Sequence, residues 1–286
     1  MRRHPDWLKV RIGSGPKYAK MKSLLRNAEL HTICEEAKCP NIAECFNRGT
    51  AVFLILGDTC TRNCRYCNVV HGTPKPINQN EPKEVAQSVK TLGLSYVVVT
   101  SVTRDDITDG GAKAFYQTIM EIKKTNPNCK VEVLIPDFKG DESSLKTVIE
   151  GKPDVVNHNI EVVEDLFPKI RPEGDYQISL KLLKKIKKYG PSIKSKSGFM
   201  VGLGETKEQL ILTMKDLRSS GVEILTIGQY LQPSKQHAEI KKYYTPEEFD
   251  EFKKIALKMG FMNVVSGPLV RSSYHAEEAF CVPIKQ

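Results

Sequence analysis

Six of the eight cysteines in this chain fall into two triplets: Cys34, Cys39 and Cys45, then Cys60, Cys64 and Cys67. Thiolates at such short spacing bind soft and borderline metals. Four of them normally hold an iron–sulfur cluster, so each triplet is one ligand short. A cubane on three cysteines leaves one iron open to another molecule, and chemistry can take place there. Two plainer readings compete. Disulfides are the usual meaning of close cysteines in a small secreted chain. Here the opening Met-Arg-Arg-His-Pro-Asp-Trp has no apolar stretch behind its basic residues, so no secretory signal is visible. A chain of 286 residues also buries a full core without covalent staples. Structural zinc favours paired Cys-x2-Cys elements, and only Cys64 and Cys67 have that spacing. Clusters are the better reading of both triplets.

The elements that must position these cysteines begin near residue 51. Short β-branched runs predict strands over Val52–Leu56, Tyr96–Thr100, Val131–Ile135, Val155–Asn159, Gly198–Val201 and Glu223–Gly228. They are almost wholly apolar, as parallel strands covered on both faces are. Between them lie helical patterns over Pro82–Leu92, Ala112–Lys124, Glu142–Glu150, Gln177–Tyr189 and Thr206–Ser220, with a further one over Thr245–Met259. Thr206 with Gln209 forms a capping box, and Pro246 stands at a first helical position. Six βα units with right-handed crossovers predict an α/β fold, an incomplete (β/α)6 barrel of parallel strands over residues 51–261. Residues 1–50, carrying the first triplet, and residues 262–286 are expected as extensions. On such a sheet functional groups gather at the carboxyl ends of the strands, and the second triplet directly follows the first predicted strand.

The second triplet lies in Gly-Asp-Thr-Cys-Thr-Arg-Asn-Cys-Arg-Tyr-Cys-Asn. Its Cys-x3-Cys-x2-Cys spacing resembles the signature of the radical S-adenosylmethionine (radical SAM) superfamily. The resemblance implies an open iron that chelates the amino and carboxylate groups of S-adenosylmethionine, and a reduced 4Fe–4S cluster that cleaves its sulfonium bond to a 5′-deoxyadenosyl radical. Tyr66 stands where the superfamily places an aromatic near the adenine, with loop packing as its other reading. Gly110 and Gly111 occupy a place similar to the methionine-binding Gly-Gly-Glu stretch, although Ala112 replaces the Glu; an ordinary βα turn is the alternative. Gly198-Phe-Met-Val-Gly202-Leu-Gly-Glu205 is similar to the Gly-x-Ile-x-Gly-x-x-Glu stretch that supports adenine and ribose, with Met200 for the Ile. Arg171 offers a fork for the methionine carboxylate or else a surface ion pair.

The first triplet, Cys-Glu-Glu-Ala-Lys-Cys-Pro-Asn-Ile-Ala-Glu-Cys-Phe, resembles the auxiliary-cluster motif of the lipoyl synthase family, with Phe46 where a Trp is common. The resemblance runs on through Arg-Gly-Thr-Ala-Val-Phe-Leu-Ile-Leu-Gly-Asp-Thr-Cys and resumes in Gly-Pro-Leu-Val-Arg-Ser-Ser-Tyr-His-Ala, residues 267–276. It implies a second 4Fe–4S cluster whose fourth ligand is a serine, Ser272 or Ser273, with Ser273 preferred. An oxygen on a soft cluster is a mismatch that suits an iron destined to leave. Cys281 is a rival ligand from composition alone, and Cys129 reads as a small buried hydrophobe. The implied reaction is insertion of two sulfur atoms at C6 and C8 of a protein-bound octanoyl-lysine, the sulfur drawn from the auxiliary cluster. Octanoylated carrier domains would be the substrates, either a 2-oxoacid dehydrogenase acyltransferase component or the glycine cleavage H protein. A ferredoxin or flavodoxin would donate electrons, and iron–sulfur assembly proteins would rebuild the cluster. An electron carrier with two clusters needs far less protein than six βα units. Biotin synthase matches only the second triplet.

Composition agrees with an ordinary folded protein, 40% hydrophobic and 27% charged. No apolar run approaches a membrane span. Exposed clusters and unpaired thiols imply a reducing cytoplasm. The net charge of +9 reads as a solvated basic surface, as a nucleic-acid face, for which no aromatic-interleaved basic motif is found, or as steering of an acidic protein substrate. Charge alone does not choose among these; the resemblance, to a family whose carrier domains tend to be acidic, implies the last. The lysines of residues 181–188 read as an exposed helix face.

Overall fold

A computed structural model describes residues 4–10, 15–27, 30–48 and 50–281. The chain divides into two compact units. One comprises Val10–Arg62 and Asn68–Val156, the other Met1–Lys9, Asn63–Cys67 and Asn157–Gln286. They are termed the N-terminal and C-terminal units below.

The N-terminal unit carries β1 (His31–Thr32), β2 (Val52–Ile55), β3 (Thr59–Cys60), β4 (Val70–His71), β5 (Tyr96–Ser101), β6 (Lys130–Leu134) and most of β7 (Val155–Asn157). Its main sheet runs in the order β1-β2-β5-β6-β7. The strands β2, β5 and β6 are mutually parallel, whereas β1 is antiparallel to β2, with His31 opposite Leu54. Part of the predicted N-terminal extension thus joins the sheet. All four residues of β2 and the first five of β5 are buried, which is why neither shows a polar alternation. Helix Ala112–Thr125 buries Phe115, Thr118, Ile119 and Ile122, the one-sided spacing that packs a helix onto a sheet. Helix Glu81–Leu92 ends at Gly93 in the left-handed conformation. Helix Glu142–Glu150 starts where the Asp141 carboxylate accepts the Ser144 amide.

In the C-terminal unit β8 (Lys194–Val201), β9 (Ile224–Gln229) and β10 (Asn263–Gly267) lie parallel in that order. Helices Tyr176–Tyr189, Lys207–Ser219 and Pro246–Lys258 connect or flank them. The Thr206–Gln209 capping box is present, and Thr245 with Glu248 makes a second. The strand β10 falls inside the segment expected as a C-terminal extension. Five residues reading Asn-Val-Val-Ser-Gly are too short and too polar at the ends to announce a strand. In helix Tyr176–Tyr189, Lys181, Lys184 and Lys188 are exposed, while Lys187 bonds Glu223 at 2.9 Å. Among the described residues no helix is long and apolar enough to cross a membrane.

Candidate metal centres and cofactor site

Strand β2 is followed by two residues of positive φ, Leu56 at 70° and Gly57 at 90°, which turn the chain toward Cys60. That turn is held from both sides. The Leu56 amide donates to Glu81 Oε2 at 2.7 Å, and Arg104 Nη1 donates to the Leu56 carbonyl at 3.2 Å. Burial pushes the Glu81 carboxyl up, while the amides of Leu56 and Gly57 pull the other way. Further along, the Thr61 amide and hydroxyl both donate to the Thr103 carbonyl at 3.0 Å, and the Thr61 hydroxyl accepts the Asp105 amide. Cys60 Sγ accepts the amides of Arg62 and Thr103, each at 3.4 Å. The loops after β2 and β5 are therefore laced together along the first cysteine of the second triplet.

The first triplet is built from short helical turns in the same unit. Thr32 caps helix Ile33–Glu36, which holds Cys34, and helix Ile42–Asn47 holds Cys45. The Cys39 amide donates to the Cys34 carbonyl at 3.0 Å and so bends the chain between them. Burial, reinforced by Cys39 and Cys45, pushes the Cys34 thiol up to about 12. Burial and Cys39 push Cys45 up to about 12 as well. Thiols raise one another only when they stand close, so Cys39 lies near both Cys34 and Cys45. Among the described residues no three His, Cys, Asp or Glu side chains stand as a ready single-ion site. Three neighbouring thiols, Cys34 buried and Cys39 and Cys45 half-buried, are nonetheless the donor set a soft cluster takes, each giving up its proton on binding.

In the C-terminal unit the segment Asn63–Cys67 is fastened at several points. The Arg65 amide donates to the Ile170 carbonyl, and the Arg65 carbonyl accepts the Ala238 amide, both at 2.8 Å. His237 Nε2 donates to the Cys67 carbonyl at 2.9 Å while its Nδ1 meets the Ser234 hydroxyl at 2.8 Å. Tyr66 is half-buried, and burial, Glu161 and Cys64 push its hydroxyl up. Arg171 is buried rather than on the surface; its Nη1 donates to the Asn159 carbonyl at 3.1 Å and its guanidinium stacks on Phe167 at 5.5 Å. Burial raises the Glu161 carboxyl, and Arg171 and Asn159 oppose that. Asn157 is fully buried, and among the described residues neither of its amide atoms has a hydrogen-bond partner. A buried, unmatched amide is costly unless a ligand completes it.

The predicted glycines are places of close approach. A Cβ on Gly111 would lie 2.2 Å from Leu56 Cδ1, and one on Gly202 2.2 Å from Gln229 Nε2. Gly110, with φ +59, abuts Phe138 in the same way. Glu205 turns inward to its own loop, accepting the amides of Gly202 at 2.5 Å and Leu203 at 2.9 Å. It shapes the turn instead of presenting a free carboxylate. Ser272 and Ser273 are half-buried in the turn after β10. Cys129 is buried, and the Cys281 side chain lies outside the described residues.

Three groups escaped the sequence reading. They are Arg62 with Asp105 and Asp137, Glu81, and the run Asn157-His-Asn-Ile-Glu161, whose first three residues are predicted only as the end of a strand. For the last, a polar run directly after an apolar strand was the available signal.

Comparison with known proteins bears on all of this. A model of the radical SAM superfamily matches residues 54–217, and a model of the N-terminal domain of lipoyl synthase matches residues 1–39. Lipoyl synthase of Rubrobacter xylanophilus is 54% identical over 274 residues, covering 96% of this chain and 85% of that protein. Lipoyl synthase of Caldanaerobacter subterraneus subsp. tengcongensis is 54% identical over 275 residues, covering 96% of each. Among solved structures, methylornithine synthase PylB superposes with a TM-score of 0.56 at 13% identity, over 92% of this chain and 86% of that one. The hydrogenase maturase HydG does so with 0.57 at 15% identity, over 91% and 73%. At such low identity these structures establish the fold: an α/β, mostly parallel, unclosed sheet of the incomplete barrel type.

Proposed function

The chain belongs to the lipoyl synthase family of the radical SAM superfamily, and from that premise we propose how its residues share the work. It is a sulfur-inserting enzyme that acts on lipoyl carrier proteins, with two 4Fe–4S clusters and S-adenosylmethionine as cofactors. When bound, these groups supply a 5′-deoxyadenosyl radical that takes hydrogen from C6 and C8 of an octanoyl-lysine, and the two sulfur atoms that enter in its place. Cys34, Cys39 and Cys45, with Ser273 as the oxygen ligand, hold the auxiliary cluster; Cys60, Cys64 and Cys67 hold the other. Tyr66, Arg171 and the backbone around Gly110, Gly111 and Gly202 bind S-adenosylmethionine, with Glu205 keeping the Gly202 turn in shape. Asn157 and Asn159 orient the bound molecules through their unmatched amide oxygens and nitrogen.

The observation that carries this division is the nearness of the three first-triplet thiols, Cys34 buried among them, apart from the fastened Cys60 loop. The substrates are octanoylated domains of 2-oxoacid dehydrogenase acyltransferases or the glycine cleavage H protein, reached in a reducing cytoplasm. The net charge of +9 steers acidic carriers toward the enzyme. Electrons come from a ferredoxin or flavodoxin. The test is product analysis with octanoyl carrier, S-adenosylmethionine and reductant. The native chain yields 5′-deoxyadenosine and a carrier heavier by two sulfurs less two hydrogens. Cys39→Ala still cleaves S-adenosylmethionine but inserts no sulfur; a variant that inserts sulfur normally would refute the assignment.

A further inference from the structure

We propose that Arg62 is a positioning residue for the second cluster, acting through two carboxylates on neighbouring strand ends to hold the sulfur of Cys60. The inference rests on the assignment of Cys60, Cys64 and Cys67 as that cluster's ligands.

Arg62 lies midway between Cys60 and Cys64 and is 4% exposed. Its guanidinium makes two forked pairs. Nε and Nη2 donate to Asp105 at 2.7 and 3.1 Å; Nη1 and Nη2 donate to Asp137 at 2.7 Å each. Asp105 follows β5, Asp137 follows β6, and Arg62 lies in the loop after β2, just past the short β3. These three strands are adjacent and parallel, so one planar group ties three loop ends together. Lys139 Nζ, 3.8 Å from Asp105, makes the group two cations and two anions. With all three nitrogens of its fork engaged, Arg62 is not placed to receive a substrate carboxylate. Its work is directed at the loop.

The same residue's amide reaches Cys60 Sγ, and the second amide on that sulfur belongs to Thr103, two residues before Asp105. Fixing the Arg62 side chain to Asp105 therefore fixes both donors to the sulfur. Hydrogen bonds to a ligand sulfur favour the more negative, reduced cluster and raise its reduction potential. Lysine cannot replace this fork, because it offers a point charge on a flexible stem.

The decisive experiment uses the full chain with Cys34, Cys39 and Cys45 changed to Ala, so that remaining iron reports the second triplet alone. Arg62, Arg62→Lys and Asp105→Asn forms are reconstituted anaerobically with iron and sulfide. Iron content, midpoint potential, the electron paramagnetic resonance spectrum with and without S-adenosylmethionine, and metal-free melting are compared. The expected result for both variants is a lower midpoint potential, an altered spectrum, and S-adenosylmethionine cleavage slowed about tenfold or more, the usual effect of losing a ligand's supporting partner. Unchanged potential and cleavage would overturn the inference. Should Arg62→Lys fail to fold, Asp105→Asn decides by the same readouts, since Asp105 is 19% exposed and tolerates change better. A parent that takes up no iron would overturn the cluster assignment itself, and this inference with it.

Discussion

Replacing Gly111 by Ala tests whether the turn that delivers Cys60 is held as rigidly as its contacts imply. Gly111 has φ +90° at the start of helix Ala112–Thr125, and an added Cβ would lie 2.2 Å from Leu56 Cδ1. Leu56 cannot step aside easily. It is 2% exposed, its amide is held by Glu81, and its carbonyl is held by Arg104. Two costs add: left-handed backbone for a residue with a Cβ, about 1–2 kcal/mol, and overpacking, about 1–3 kcal/mol. Gly57 separates them, because it has the same φ of +90° with nothing within 4 Å of its added Cβ. Gly57→Ala therefore loses only the backbone part. For a chain of this size 1 kcal/mol corresponds to roughly 2–4 °C. Melting of the metal-free protein by circular dichroism should fall by about 2–8 °C for Gly57→Ala and by about 4–20 °C for Gly111→Ala, whose loss is the larger of the two. Equal losses in the two variants would show that Leu56 yields freely, and the argument for a rigid turn would fail.

Three further outcomes are expected. Asn157→Leu removes two unmatched buried polar atoms, so the metal-free protein should gain about 1–2 kcal/mol in urea unfolding, while KM for S-adenosylmethionine or carrier rises; a loss of stability would mean the amide is paired after all. Glu205→Gln weakens the bonds to the Gly202 and Leu203 amides, costing about 1–2 kcal/mol and weakening S-adenosylmethionine binding measured by calorimetry. The Ser143 and Ser144 hydroxyls hold the Asp141 carboxyl at about 2, below its ordinary 3.8. Because the folded chain binds that proton more weakly, the cap's stabilisation is complete above pH 3.8 and fades as pH falls toward 2. Asp141→Ala should cost about 1 kcal/mol at neutral pH, and its unfolding curve should approach that of the native chain in acid.

The sequence reading worked where neighbours along the chain carry the signal. Strands β2, β5 and β6 were legible because parallel strands are apolar on both faces, and the Thr206–Gln209 capping box because its partners stand three residues apart. It missed β10, whose five residues acquire strand character from pairing with β9. It also gave no sign that the Glu205 carboxylate accepts the Gly202 and Leu203 amides of its own loop.

Two cysteine triplets, each a thiolate short, were set by residue type and local spacing, and these alone determined what metal chemistry the chain could support. Only the tertiary structure decided which charges are partners. Arg62 meets Asp105 and Asp137 across 43 and 75 residues of chain, and the pairing matters because folding strips water from all three. In water such charges interact weakly at any spacing. Local pattern cannot encode that burial, since it is made by strands that become neighbours only when the sheet forms.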